Sequence, residues 1–268
     1  KPAAGWPVVI FQHGITRNRA DALAISATMA AQGFAVVAID QPLHGIRSID
    51  PGISGFYIEN TPFGAIANER TFDLDFSNNT TGAAGPDGVV DGSGTYTINL
   101  TSLLTSRDNL RQAVADLFTL AKTVPTMSVD GDATPDFDGS RIFFVGQSLG
   151  SIVGLNFVTL EPTVSTAVLS VPGGGIAQLL NGSATFGPRI RAGLAASGVT
   201  AGTPSFDQFL GAAQQAIDSA DPMNFAAASI ALRMRSAMRT PSIMSVLARI
   251  TTNSSPPKRQ HISSSRST

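Results

Sequence analysis

Arg141-Ile142-Phe143-Phe144-Val145-Gly146-Gln147-Ser148-Leu149-Gly150 is the stretch on which the fold of this chain turns. Arg141 to Val145 is a bounded apolar run of strand length. Beyond the G-x-S-x-G pentapeptide, Ile152, Val153, Leu155, Phe157 and Leu160 recur as one wall of a helix. A serine at a sharp strand-to-helix turn has its Oγ lifted clear of the backbone, and flanking glycines let neighbouring elements come close. The helix N-terminus that follows aims backbone N–H groups at any oxyanion formed on Ser148. In a chain with 26 glycines the pentapeptide can arise as an ordinary Gly-rich turn. Its position between strand and helix favours a serine nucleophile held on an elbow of Gly146, Gln147 and Gly150.

Upstream, Val8 to Phe11 reads as a buried strand ending at His13-Gly14, Ala22 to Gln32 as a helix stopped by Gly33, and Phe34 to Ile39 as a second buried strand. Strand, helix, strand, each nearly continuous in apolar residues, is the pattern of a parallel sheet covered on both faces. From about residue 45 to 104 the periodicity is lost and Gly, Asn, Asp and Thr accumulate, a loop-rich excursion beside the sheet. A helix then carries Leu110, Val114, Leu117, Phe118 and Ala121 on one stripe, and Val164 to Val171 is the next strand after the elbow helix. Residues 176–220 are Ala/Gly/Leu-rich with helical pieces and suit either a lid over an apolar pocket or plain packing. The fold class is therefore α/β, a mostly parallel, doubly wound sheet with helices on both faces and a helical, lid-like insertion. A length of 268 residues fits one such domain.

Composition removes several functions. Charged residues make up 14% and the net charge is −1, which gives nucleic acid no electrostatic footing. With no cysteine there is neither a disulfide nor a thiolate nucleophile or metal ligand. No apolar run reaches the length of a membrane span. Lys1-Pro2 stands only a few residues before the first strand, which reads as a trimmed start. From 226 to 268 there are seven basic residues and no acidic one, against eleven basic and nineteen acidic before. That segment reads either as a basic tail or as something other than the native continuation of the fold.

A serine nucleophile needs a base, and the base usually needs a third group to orient it. Of the three histidines, only His261 follows Ser148, as the base does in one common chain order. It is the formal candidate, against the alternative of a solvated histidine in its Lys258-Arg259-Gln260 surroundings. Among the carboxylates after Ser148, Asp221 is the candidate acid, although Asp221-Pro222 also has the form of a turn or helix cap. His44, after Asp40 and Pro42, reads as structural, since a catalytic role there would need an unusual chain order. His13-Gly14 ends the first strand at the edge where open α/β sheets place their sites, so the N–H of Ile15 can face the same oxyanion as that of Leu149. Asp130, Asp132, Asp136 and Asp138 fall within one Gly-containing turn; they are a weak calcium candidate, lacking the EF-hand pattern, beside the alternative of a solvated turn.

Val9-Ile10-Phe11-Gln12-His13-Gly14-Ile15-Thr16, Ala38-Ile39-Asp40-Gln41-Pro42-Leu43-His44-Gly45 and Phe144-Val145-Gly146-Gln147-Ser148-Leu149-Gly150 together resemble bacterial α/β-hydrolase lipases, in particular extracellular or surface lipases of the virulence-factor or Pla-1/cef type. Asn99 to Leu104 before the Arg107-Asp108-Asn109-Leu110 helix is similar to the same group, and the resemblance covers roughly residues 5–225. It implies an α/β-hydrolase fold and secreted or surface ester hydrolysis through an acyl-enzyme on Ser148. Ile15 and Leu149 then supply the oxyanion hole, and no cofactor is required. The implied substrates are lipids, short esters or synthetic polyesters, met in solution or at a lipid interface. In that family a Gly-Asp follows the next strand, with a histidine further on. Here the corresponding candidate strand, Ile243 to Leu247, runs into Ala248-Arg249-Ile250-Thr251-Thr252-Asn253, which holds no acid. The other reading is thus a hydrolase-like domain that binds apolar ligands without turnover.

Overall fold

The computed structural model describes residues 1–228; the candidate base His261, the candidate strand 243–247 and most of the basic segment 226–268 lie outside the described residues. Four strands, β1 (Trp6–Gln12), β2 (Ala35–Ala38), β3 (Phe137–Gln147) and β4 (Val164–Ser170), form one parallel sheet in the order β2-β1-β3-β4. Ile10 pairs with Val37 on one side and Phe144 on the other, and Phe144 with Ala167, so the apolar runs stand side by side. β3 is longer than its apolar run because Phe137 pairs with Trp6 across a register shift, which draws the more polar residues 137–141 into the strand.

Side chains alternate between the two faces of the sheet. Val8, Ile10, Ile142 and Phe144 point to one side and pack against α2 (Leu103–Thr123) and α3 (Leu149–Leu160), where Leu117, Val153 and Phe157 are buried. Val9 and Phe143 point to the other side, under Met29 and Ile25 of α1 (Leu23–Ala31). The chain is therefore α/β with helices on both faces. Its strand order, with the serine elbow after a central strand, is that of the α/β-hydrolase fold.

The 45–104 excursion is not formless. It contains short 3-10 turns at Ser54–Phe56, Ile58–Asn60 and Pro62–Ala65, and carboxylates satisfy its backbone. Asp91 accepts from the N–H groups of Phe76 and Ser77 and from the Tyr96 hydroxyl. Buried Glu69 accepts from Ile46 and Ile58 N–H and pairs with Arg19, whose guanidinium also binds Asp40. These side chains do for the loop what a ladder does for a strand.

Residues 176–220 form α4 (Ile176–Gly182), α5 (Gly187–Ala196) and α6 (Pro204–Ile217). Ile190, Leu194, Phe206 and Leu210 bury one another between α5 and α6, and Ile217 joins the main core. Asn156 on α3 donates to Ala220 O at 2.7 Å, tying the end of this segment to the elbow helix.

Phe157 is fully buried and touches the rings of Phe118 and Phe144. Phe157→Ala is expected to cost about 3–5 kcal/mol in urea unfolding; a loss below 1 kcal/mol would contradict this packing.

Candidate active site

Ser148 sits between β3 and α3 with φ 51° and ψ −116°, a backbone conformation that non-glycine residues rarely adopt. The elbow is held open by its neighbours. Ser148 N–H donates to Ser170 O at the end of β4 (2.9 Å), and Ser151 Oγ donates to both Gly146 O and Ser170 O. Glycine is required on each side: a Cβ on Gly146 would stand 2.5 Å from Gly150 O, and one on Gly150 only 2.1 Å from Gln12 O. No larger residue lets α3 start so close to the end of β1.

That closeness brings the turn after β1 to the serine. A Cβ on Gly14 would stand 3.2 Å from Ser148 Cβ and 3.8 Å from its Oγ. His13 fixes the direction of the next peptide. Gly14 O can only accept, so Nδ1 of His13, 2.8 Å away, carries the proton and donates to it. Nε2 then accepts from Gln41 N–H at 3.1 Å, while His13 O accepts from the Gln41 side chain at 2.7 Å. A trans peptide is planar, so pinning Gly14 O on one side points the Ile15 N–H to the other. Among the described residues neither the Ile15 nor the Leu149 N–H has a hydrogen-bond acceptor.

Both described histidines lie inside the scaffold. His13 and His44 are fully buried, with ring centroids 5.0 Å apart. Burial is the main force lowering the His13 pKa, partly opposed by the nearby Asp40 carboxylate. Burial likewise pushes His44 down to about 4, with His13 adding to the effect, and its Nδ1 donates to Pro42 O at 2.9 Å. Its Nε2, also buried, has no hydrogen-bond partner among the described residues. Among the described residues no histidine hydrogen-bonds Ser148.

Asp221 is a cap. Its buried carboxylate accepts from Gly175 N–H (3.1 Å), Ile176 N–H (2.8 Å), Gln214 Nε2 (2.9 Å) and Met223 N–H (2.9 Å). Burial pushes its pKa up, but these bonds outweigh it and hold the group below the usual carboxylate range. These donors use every acceptor direction, and among the described residues none of them is an imidazole, so the structure shows the cap that the Asp-Pro pair offered as one of its two readings.

The calcium candidate is corrected. Asp136 accepts from Lys1 Nζ at 2.5 Å and from Val129 N–H, and Asp130 and Asp132 each lie 3.6 Å from the same ammonium. Asp138 is turned away, to Ser140 and Arg141. One ammonium already fills the place of a cation, and no described group of three or more His, Asp or Glu side chains is arranged to hold a metal ion.

In front of Ser148 lies a cavity of about 540 Å³. Ile15 and Leu149 stand at the serine, Ile152 and Leu110 on the core side, and Ile176, Leu179 and Leu180 of α4 form the opposite wall. Val171, at the rim, is a β-branched residue with φ 50°. The part played by residues 97–110 in this wall was hidden in the sequence, because Thr97 and Ile98 sit in the aperiodic excursion. The α4 side chains were legible only as apolar composition.

No family model matches the sequence, and a search of curated proteins gives no match. Among solved structures the chain is similar to an acetyl xylan esterase from Paenibacillus sp. R4, with 17% identity, a TM-score of 0.47 and coverage of 83% of this chain and 56% of that one. It is also similar to acetyl xylan esterase 1 from Thermoanaerobacterium sp. JW/SL YS485, with 19% identity, a TM-score of 0.49 and coverage of 84% and 57%. The chain thus spans a little over half the length of each of these proteins. Likenesses this weak say nothing of substrate; the fold rests on the strand order and the elbow.

The buried histidines make the domain sensitive to acid. On unfolding, the imidazoles return to about 6.5, so below that pH the unfolded chain binds protons that the folded chain refuses. Stability is therefore full above about pH 6.5 and falls as the pH drops towards 4, by roughly 3 kcal/mol from His44 alone. His44→Asn, which keeps a donor for Pro42 O, should flatten thermal melts over that range. A slope equal to that of the unaltered chain would rule His44 out as its source.

Proposed function

We propose that the chain is a carboxylic ester hydrolase of the esterase or lipase type that works through an acyl-enzyme on Ser148. The observation that carries this reading is the meeting of three things at one point: a serine on a strained elbow, two backbone N–H groups with no acceptor among the described residues, and the mouth of an apolar cavity. The acyl group lies in the cavity, and Ser148 Oγ attacks its carbonyl carbon and loses its proton to a base. The N–H groups of Ile15 and Leu149 hold the oxyanion. The alcohol leaves with the proton, and water then releases the acid from Ser148. His13 is bonded at both ring nitrogens and His44 is buried with only its Nδ1 bonded, so the proposed base is His261, the histidine that follows Ser148 in the chain. An apolar cavity suits aliphatic or aromatic acids from lipids, small esters or polyesters.

A second reading is favoured by one observation: among the described residues no carboxylate–imidazole pair faces Ser148. In that reading the cavity binds apolar ligands without turnover. The two separate on reactivity. The hydrolase reading expects stoichiometric labelling of the folded chain by a fluorophosphonate, lost in Ser148→Ala, together with hydrolysis of 4-nitrophenyl esters at least about a hundredfold above Ser148→Ala. Absence of both in folded protein sinks it.

The peptide pinned by His13 makes a further claim. His13→Phe keeps an apolar, similarly sized ring but releases Gly14 O, and labelling at Ser148 should slow by about tenfold or more. An unchanged rate would show that the Ile15 N–H does not serve the oxyanion.

A further inference from the structure

We propose that Ile98 sets the longest acyl chain the site accepts, by closing the cavity at Ser148 off from a second cavity behind it. The proposal rests on the ester-hydrolase reading for its chemistry but on cavity shape for its geometry. The second cavity, about 650 Å³, lies between residues 96–101 and α5–α6, with Leu100, Val199 and Phe209 in its lining. Ile98 is the only described residue that lines both spaces. Both spaces therefore touch one branched side chain.

The backbone on both sides of Ile98 is fixed to α2. Thr97 O accepts from Asn109 Nδ2 at 3.0 Å, and Asn99 N–H donates to Ser106 Oγ at 2.7 Å. The Asn99 side chain in turn accepts from Thr101 and Ser102 N–H. Held this way the loop does not swing aside for a longer chain, and it keeps its path when the Ile98 side chain is cut back. Both spaces are apolar where they approach each other, because the residues around them pack on one cluster between α5 and α6. An alkyl chain that passes Ile98 meets Leu100, Leu194, Val199 and Phe209, beside the more polar Asn99, Thr101 and Ser197. Removing the side chain thus joins a space sized for a short or medium acyl group to one that takes the distal end of a long one.

The test uses two readouts. In the first, straight-chain alkanoates from butanoate to tetradecanoate are titrated into Ser148→Ala, so that no turnover is needed. Affinity should rise about fourfold per methylene while the chain has apolar room and then stop rising. In the second, kcat/KM is measured for the matching 4-nitrophenyl esters with Ser148 present. Ile98→Ala should move the break in both series to longer chains, and Ile98→Phe should move it to shorter ones. Adding Ser197→Trp, at the far cavity, to Ile98→Ala should bring the break back. A break at the same length in the unaltered chain and in folded Ile98→Ala, or affinity that climbs without a break in the unaltered chain, overturns the proposal. If Ile98→Ala fails to fold, Ile98→Val carries the same expectation with a smaller shift. A break that moves in the binding series while no ester is cleaved upholds the partition and counts against the hydrolase reading alone.

Discussion

At one end of the sheet β1, β3 and α3 meet more closely than side chains would allow. The first turn of α3 lies against the carbonyls of Gln12 and His13, which is why Gly150 has no room for even one carbon. From this approach the rest follows. It forces the backbone of Ser148 into its rare conformation, places the turn after β1 beside the hydroxyl, and directs the start of a helix at the space between them. Ser170 at the end of β4 then locks the elbow through the Ser148 N–H and the Ser151 hydroxyl. Three neighbouring strands thus fix one atom.

Buried His13 illustrates how a residue type associated with catalysis is used as a construction part. An imidazole has one donor and one acceptor in its neutral form, and a buried site that supplies one of each keeps it neutral. Around His13 the acceptor is Gly14 O and the donor is Gln41 N–H, so the ring bridges the ends of β1 and β2. Neutrality is what lets it stay there, since charging it without water would cost more than its bonds return. The consequence at the serine is indirect. The ring sets the direction of a peptide, and the peptide presents the N–H.

The α/β architecture was legible because its strands are short, nearly continuous apolar runs bounded by glycines and histidines, and because α2 carries a clean stripe from Leu110 to Ala121. The elbow was legible for a different reason: its two glycines answer a steric demand that leaves no other residue possible. The excursion resisted reading because its order comes from carboxylates such as Asp91 and Glu69 reaching backbone groups far along the chain, and no periodicity records that. For the same reason the cavity wall at Ile98 could not be foreseen. Asp221 is open between cap and acid in the sequence, since Asp-Pro serves either, and only the convergence of three N–H groups and Gln214 reveals the cap. The Asp130 to Asp138 turn misled towards a cation because spacing alone does not say that a lysine at the other end of the sequence comes to fill it.

Asp221 also has a mechanical meaning. One carboxylate joins the start of α4, the last turn of α6 through Gln214, and the residue at which the chain turns onward, Met223. Ile176, at this knot, is itself part of the cavity wall. Met223 is thus coupled to the rim of the pocket through a single buried anion, and the four bonds on that carboxylate hold α4, α6 and the pocket wall as one body.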